Sequence, residues 1–287
     1  MEPFALTLLL VAAISHAVWN AIAKSATGNP YVFVWAYLVL ASALLLPITA
    51  VFLYQNGWPE SAGMALAPVI SGVLHVVYLL TLQTAYTKGD LGVVYPTARG
   101  VGPLLTMVVA LGVIGERPRP TALAGAIIVL AGILLVATGS SRRVHWFNPG
   151  LLYGVATGVT IASYTLWDNR AVTVWNFEPL PYFTLALTTQ ALLLTPLALR
   201  TRETWQRAKV LRTNSSRIIA VALLWPLGYI LVLTAQKTAP ISIVAPVREI
   251  SIIFGALIGW LIYREERPLR RLIGASIVLV GIVFLTR

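Results

Sequence analysis

Long apolar runs, broken by short polar turns, follow one another along the entire chain. A helix rising about 1.5 Å per residue needs roughly 20 apolar residues to cross the hydrocarbon of a bilayer. Ten runs approach that length, at about 4–24, 31–53, 64–86, 91–114, 121–138, 150–168, 180–199, 217–236, 241–262 and 270–286. Between them lie turn-forming clusters: SATGNP at 25–30, YQNGWPES at 54–61, TKGD at 87–90 and GERPRP at 115–120. GSSRRVHWFNP at 139–149 is the longest polar interruption of the middle region and the natural divider between two halves. Glu2 stands where a secretory signal would carry Lys or Arg, so the first run reads as a retained helix.

The pattern also repeats. The stretch 91–135 is echoed at 242–285, about 150 residues later: Pro96 falls on Pro246, and Glu116-Arg117-Pro118 on Glu266-Arg267-Pro268. After a one-residue slip, Gly125 and Gly132 fall on Gly274 and Gly281. Proline, charge and glycine at matched offsets imply a duplicated chain. With five helices per half, an odd number, the second half enters the bilayer upside down relative to the first. The expected fold is therefore an all-α integral membrane protein, with ten transmembrane helices as two inverted five-helix repeats over 4–138 and 149–286. That is a transporter's architecture, with the substrate near the midplane between the repeats.

Composition agrees with the pattern. The chain is 58% hydrophobic, only 11% charged and free of cysteine over 287 residues, with mean hydropathy +0.81. A water-soluble fold would have too little polar surface to cover such a core. The net charge of +11 sits mostly in short loops, above all in RTRETWQRAKVLRTNSSR at 200–217, which fits contact with membrane lipid headgroups and not nucleic acid. The loops after the odd-numbered helices carry 14 of the 21 Lys and Arg, and the opposite face carries five. The positive-inside rule then puts the odd loops in the cytoplasm and both termini outside.

Candidate chemistry gathers on six helices. His16, Trp19, Asn20 and Lys24 share one face of helix 1, and Tyr164, Trp167 and Asp168 have the same spacing on helix 6. An offset of 148 places Trp19-Asn20 on Trp167-Asp168, suggesting a repeated cavity wall. Helix 3 presents His75, Tyr78 and Tyr86, and helix 8 presents Trp225, Tyr229 and Gln236. Arg99, beside Tyr95 on helix 4, lies roughly 12 Å deep, and Arg248 and Glu249 lie equally deep in helix 9. An arginine at mid-span costs roughly 2.5–3.5 kcal/mol on insertion scales, so each needs a carboxylate or an anionic ligand. Arg99 and Glu249 occupy equivalent places in the two repeats and could pair across the axis; the other reading joins Arg99 to Arg248 in holding an anionic substrate group. Arg248 projects about 100° from Glu249 and is expected to be the free cation that holds a carboxylate, phosphate or phosphonate. Glu249 and Asp168 are the expected coupling sites, with protons as the coupling ion. Gly150, Gly154 and Gly158, and Gly255 and Gly259, are read as close-packing positions. Pro96, Pro103, Pro226 and Pro246 are read as helix bends.

The tandem elements GERPRPTALAGAIIVLAGILLV and REERPLRRLIGASIVLVGIVFL, each closing a five-helix half, resemble the paired EamA domains of the drug/metabolite transporter superfamily. The resemblance covers essentially the whole chain. It implies a ten-helix inverted-repeat transporter of a plasma membrane, a bacterial inner membrane, with helices 1, 3, 4, 6, 8 and 9 around a central cavity. It also implies termini in the cytoplasm, opposite to the charge count. SHAVWNAIAK at 15–24 is similar to an HAxWN-type subset, some of whose members are labelled as associated with phosphonate utilisation. The small multidrug relatives use a helix 1 glutamate where this chain has His16 and Asn20. The function expected is secondary transport of a small polar or anionic metabolite, an amino acid, organic acid or phosphonate-like compound, by alternating access, by a monomer or homodimer. The alternative is a flippase for a phosphate-bearing, lipid-linked molecule. An enzyme is not expected: there is no HExxH cluster, no cysteine and no serine in a GxSxG setting, and His16, His75 and His145 are scattered. Neither cofactor nor metal is called for.

Overall fold

A computed structural model of the chain describes residues 2–57, 66–88, 91–137, 149–200, 204–255, 257 and 268–286. The divider at 139–148 and the second Glu-Arg motif, Glu266-Arg267, lie outside the described residues. The first half comprises α1 (Pro3–Lys24), α2 (Pro30–Asn56), α3 (Ala67–Lys88), α4 (Leu91–Val109, prolonged by a π-helical turn over Ala110–Ile114) and α5 (Pro120–Ala137). The second comprises α6 (Pro149–Thr173), α7 (Pro179–Leu199), a short α8 (Thr204–Thr213), α9 (Ser215–Gln236), α10 (Ile241–Arg248) and α11 (Pro268–Thr286). Among the described residues there is no strand. Prolines open α1, α2 and α7, where the missing N–H costs nothing, and the Asn29 side chain accepts from the amides of Tyr31 and Val32 to cap α2.

By length and composition α1, α2, α3, the span Val93–Ile114, α7 and α9 can each cross a membrane, and Pro120–Leu135 and Ile273–Leu285 are shorter apolar helices. The outer surface is oily. Val113 is 80% exposed, Leu152 70%, Leu192 68% and Leu279 64%, which suits lipid and not water.

Packing between the halves follows the duplication. α1 rests on α9 as α3 rests on α6, α4 on α6 as α10 on α1, and α2 on α7 and α5 on α11 join elements to their own counterparts. Glycine permits the last contact: a Cβ on Gly125 would lie 2.7 Å from the Gly281 carbonyl oxygen, and one on Gly132 2.8 Å from that of Gly274. Gly154 and Gly158 let α6 seat against Thr97 and Val101 of α4 in the same way. Gly255 differs from expectation, since no described atom lies within 4 Å of a Cβ placed there; Gly259 lies outside the described residues.

Two departures from the expected elements bear on the site. The basic stretch at 200–217 holds the helix α8, which shows no apolar run because it lies between spans and buries little beyond Val210. Buried Asn214, at its end, ties it to the α1–α2 turn: its side-chain NH₂ donates to the Thr27 carbonyl (3.0 Å) and its oxygen accepts from the Thr27 amide (3.2 Å). The expected continuous helix 241–262 is broken. α10 stops at Arg248, residues 249–250 form a turn, and helix resumes at 251–255. Beyond Pro246 the amides of Glu249 and Ile250 bond to the carbonyls of Pro246 (3.1 Å) and Val247 (3.0 Å), a tightened 3₁₀ spacing.

Candidate functional site

The six helices expected to present polar faces, together with α2 and α7, line a cavity of about 350 Å³. Its charged end is built where α4 and α10 meet. Arg99 Nη1 lies 2.9 Å from Glu249 Oε2, so the two equivalent positions do pair across the repeats, with Glu249 only 1% exposed. Arg248 is not the free cation that the sequence implied: its Nη2 reaches Glu249 Oε1 at 3.5 Å. The 100° between neighbours on a helix is spanned by the length of the arginine side chain, and in a dry interior an uncompensated guanidinium is costly enough to bend it there. Two guanidiniums thus share one carboxylate. Both arginines line the cavity whereas Glu249 does not, so a surplus positive charge faces the space.

What surrounds the arginines favours a ligand rich in acceptors. Arg99 Nη2 stands 3.4 Å from His16 Nε2; since a guanidinium only donates, that nitrogen accepts and His16 is the neutral imidazole. Tyr95 lies with its ring 5.4 Å from the Arg99 guanidinium, and Tyr164 with its ring 5.9 Å from that of Arg248, whose Nη1 is also 3.5 Å from Thr165 Oγ1. Trp19 stacks edge-on against His16 at 5.0 Å, and Asn20 turns its NH₂ back to the His16 carbonyl (2.7 Å) while still lining the cavity. The Trp19 indole N–H and the Gln190 side-chain nitrogen, both on the cavity wall, have no hydrogen-bond partner among the described residues.

The remaining wall is aromatic. His75 stacks on Tyr164 at 4.2 Å and meets Tyr229 edge-on at 5.3 Å, while Tyr78 packs edge-on against Tyr164 at 5.4 Å. Trp225 stands edge-on to Tyr37 and to Phe183, each at 5.6 Å. Tyr37 on α2 and Gln190 on α7 escaped sequence reasoning, because each has apolar neighbours three and four residues away on its helix and so belongs to no polar face. Trp167 was expected on the wall and is not there. Its indole donates to the Ala67 carbonyl (3.0 Å) and packs on Trp175, because Thr157, Ile161 and Tyr164 take the inward stripe of α6 and residue 167 lies past its end. The two Trp-polar pairs are therefore not equivalent walls. Asp168 is fully buried behind the aromatic layer, accepting from Tyr182 Oη (2.8 Å) and Tyr229 Oη (2.5 Å). Among the described residues no three His, Asp or Glu side chains gather to hold a metal ion.

An all-helical chain with two inverted repeats packed face to face, an oily outer surface and a polar cavity between the halves defines a membrane transporter. The sequence matches the model of the EamA-like transporter family twice, over residues 3–138 and 148–287, and the chain belongs to that family. Its members are transporters and not enzymes. A relative from Pseudomonas aeruginosa strain PAO1 described as "Multidrug transporter PA4990" is 30% identical over 109 residues, covering 38% of this chain and 97% of the relative, which is thus about one repeat long. A solved structure titled only "Crystal structure of protein" superposes with a TM-score of 0.70 at 17% identity, covering 98% of both chains, and so shares the fold.

Proposed function

We propose that the protein is a secondary transporter for a small organic anion with an apolar or aromatic body, such as an organic acid, an amino acid bound through its carboxylate, or a phosphonate. The observation that carries this reading is the sharing of one carboxylate by two cavity-lining guanidiniums. The surplus cation favours an acidic headgroup, and forked donors suit carboxylate and phosphonate alike. Trp19, Trp225 and Tyr37 offer faces for the rest of the molecule. Discontinuity of α10 beside the charges, together with prolines in α4 and α9, gives the helices places to bend during alternating access. The name of the Pseudomonas relative speaks of drugs, but a lipophilic cation bound in the cavity would lie against two guanidiniums. A lipid-linked phosphate gains no support from the family or the relative.

Trp19 and Trp225 on the wall make binding readable by tryptophan fluorescence in the detergent-purified protein. Benzoate and phenylphosphonate are expected to quench it saturably, tetraphenylphosphonium is not, and Arg248→Gln is expected to weaken the anions at least tenfold, the scale of one lost charged hydrogen bond. Saturable binding of the cation with no response to either anion would reject the reading.

A further inference from the structure

The aromatic wall of the cavity contains a buried group with an unmet need. His75 Nδ1 lies 2.9 Å from the Ser71 carbonyl oxygen, which can only accept, so Nδ1 carries a hydrogen and in the neutral ring Nε2 is a bare lone pair. That Nε2 has no hydrogen-bond partner among the described residues, although His75 is only 6% exposed. It points at Asp168 Oδ2, 3.9 Å away. Two phenols, of Tyr182 and Tyr229, already donate to the two oxygens of Asp168, the arrangement of a carboxylate. Two acceptors therefore face each other across a gap slightly too wide for a hydrogen bond, a juxtaposition that one added proton resolves.

Resting on the anion-transporter reading, we propose that His75 Nε2, backed by Asp168, is the proton-binding site of this transporter, loaded from the cavity and coupled to the arrival of an anion. Nε2 is closed to solvent in this conformation, so loading requires the aromatic layer to part; a proton from water then adds to the Nε2 lone pair, no bond to a heavy atom forms or breaks, and nothing leaves. The new N–H then has the Asp168 carboxylate before it. Drawing 3.9 Å in to an ordinary hydrogen-bond length of about 2.8 Å moves α3 toward α6, two walls of the cavity. Groups facing His75 are Tyr164 and Asp168 from α6, Tyr229 from α9, Tyr78 from its own helix and Arg248 from α10, with Phe183 of α7 packed on its edge and Tyr182 of α7 reaching it through Asp168. Of these only Asp168 and Arg248 carry charge while the phenols are intact.

Charge balance supplies the coupling. Arg99, Arg248 and Glu249 leave one positive charge at the cavity, which Asp168 behind the aromatic layer offsets while His75 is neutral; protonation of His75 removes that offset, and a bound monoanion restores neutrality. Each event lowers the cost of the other, and the linkage is reciprocal. His16 cannot serve in this way, because its Nε2 is occupied by Arg99. Glu249 already has a guanidinium near each oxygen.

The chain has three histidines, His16, His75 and His145, so a nitrogen-15 NMR titration of the full-length protein in nanodiscs with labelled histidine resolves the question without any substrate. Signals are assigned by comparison with His16→Asn and His145→Asn. In wild type, His75 is expected to hold its hydrogen on Nδ1 at pH 8.5 and to gain a second on Nε2 as pH falls to 5. Asp168→Asn removes the partner charge and is expected to reduce the protonated-to-neutral ratio of His75 at pH 6 at least tenfold. Arg248→Gln removes a cation, which mimics an arriving anion, and is expected to raise that ratio several-fold. The Arg248→Gln arm decides the matter alone should Asp168→Asn fail to fold. A His75 that stays neutral at pH 5, or titrates identically in wild type and a folded variant, overturns the proposal and leaves a packed aromatic ring. A protein that titrates as expected yet binds no anion retains the proton site and loses the anion reading, so the two failures are distinct.

Discussion

Glu249 sits 2.9 Å from Arg99 and 3.5 Å from Arg248, and the two contacts have different origins. The first was legible in the sequence, since mid-span depth demands a partner and the repeat offset supplied one. The second was not, because side-chain reach overrides helical angle when a buried carboxylate is already next door. Removing that carboxylate strands two cations. Glu249→Gln is expected to destabilise the folded protein by about 3–5 kcal/mol, the range seen when one partner of a buried ion pair is deleted. The double variant Arg99→Met/Glu249→Met is expected to be less unstable than Glu249→Gln, which thermal unfolding in detergent measures directly. Equal or greater loss in the double variant would mean that the pair contributes through packing and not charge.

At the scale of the element, α10 depends on a residue from the other repeat. Gly115, with φ 80°, ends the π-helical extension of α4 in the left-handed region, and the chain then presents Glu116 to the start of α10. Its carboxylate oxygens accept from the amides of Ile241 (2.8 Å) and Ser242 (3.0 Å), capping the helix that carries Arg248. The sequence marked Glu116 as half of a repeated motif but hid its job, because the cap joins residues 125 apart in the chain. The break after Arg248 was half visible: Pro246 announced a bend, while the run of apolar residues beyond it read as one helix. Glu116→Ala is expected to cost about 1–2 kcal/mol of stability, while Glu116→Gln, whose amide oxygen still accepts, is expected to cost less. Denaturation midpoints of the two variants check the order, and equal losses would deny the cap its role.

Across the whole molecule the duplication organises everything else. Packing pairs recur in equivalent sets, Gly125 meets Gly281, Gly132 meets Gly274, and Arg99 meets Glu249 at the centre. Hydrophobic length, the 150-residue echo and the odd helix count made that architecture readable before any coordinates, since bilayer thickness fixes span length and symmetry fixes orientation. The cavity was readable only in outline. His16, His75, Tyr78, Tyr164, Trp225 and Tyr229 converge as their polar faces implied, but Trp167 turns away, and Tyr37 and Gln190 enter from helices with no polar stripe. Symmetry of sequence does not compel symmetry of side chains, and the same offset that placed Trp19 on the wall placed Trp167 outside it. The central claim is that this asymmetric, arginine-marked cavity moves an organic anion. Its most direct test is counterflow in proteoliposomes, preloaded with unlabelled benzoate, L-phenylalanine or phenylphosphonate and diluted into the labelled compound, with tetraphenylphosphonium as the cationic comparison. Transient accumulation of at least one of the acids is expected with wild type and its loss in a folded Arg248→Gln; accumulation of the cation alone, or an Arg248→Gln protein as active as wild type, would contradict anion transport.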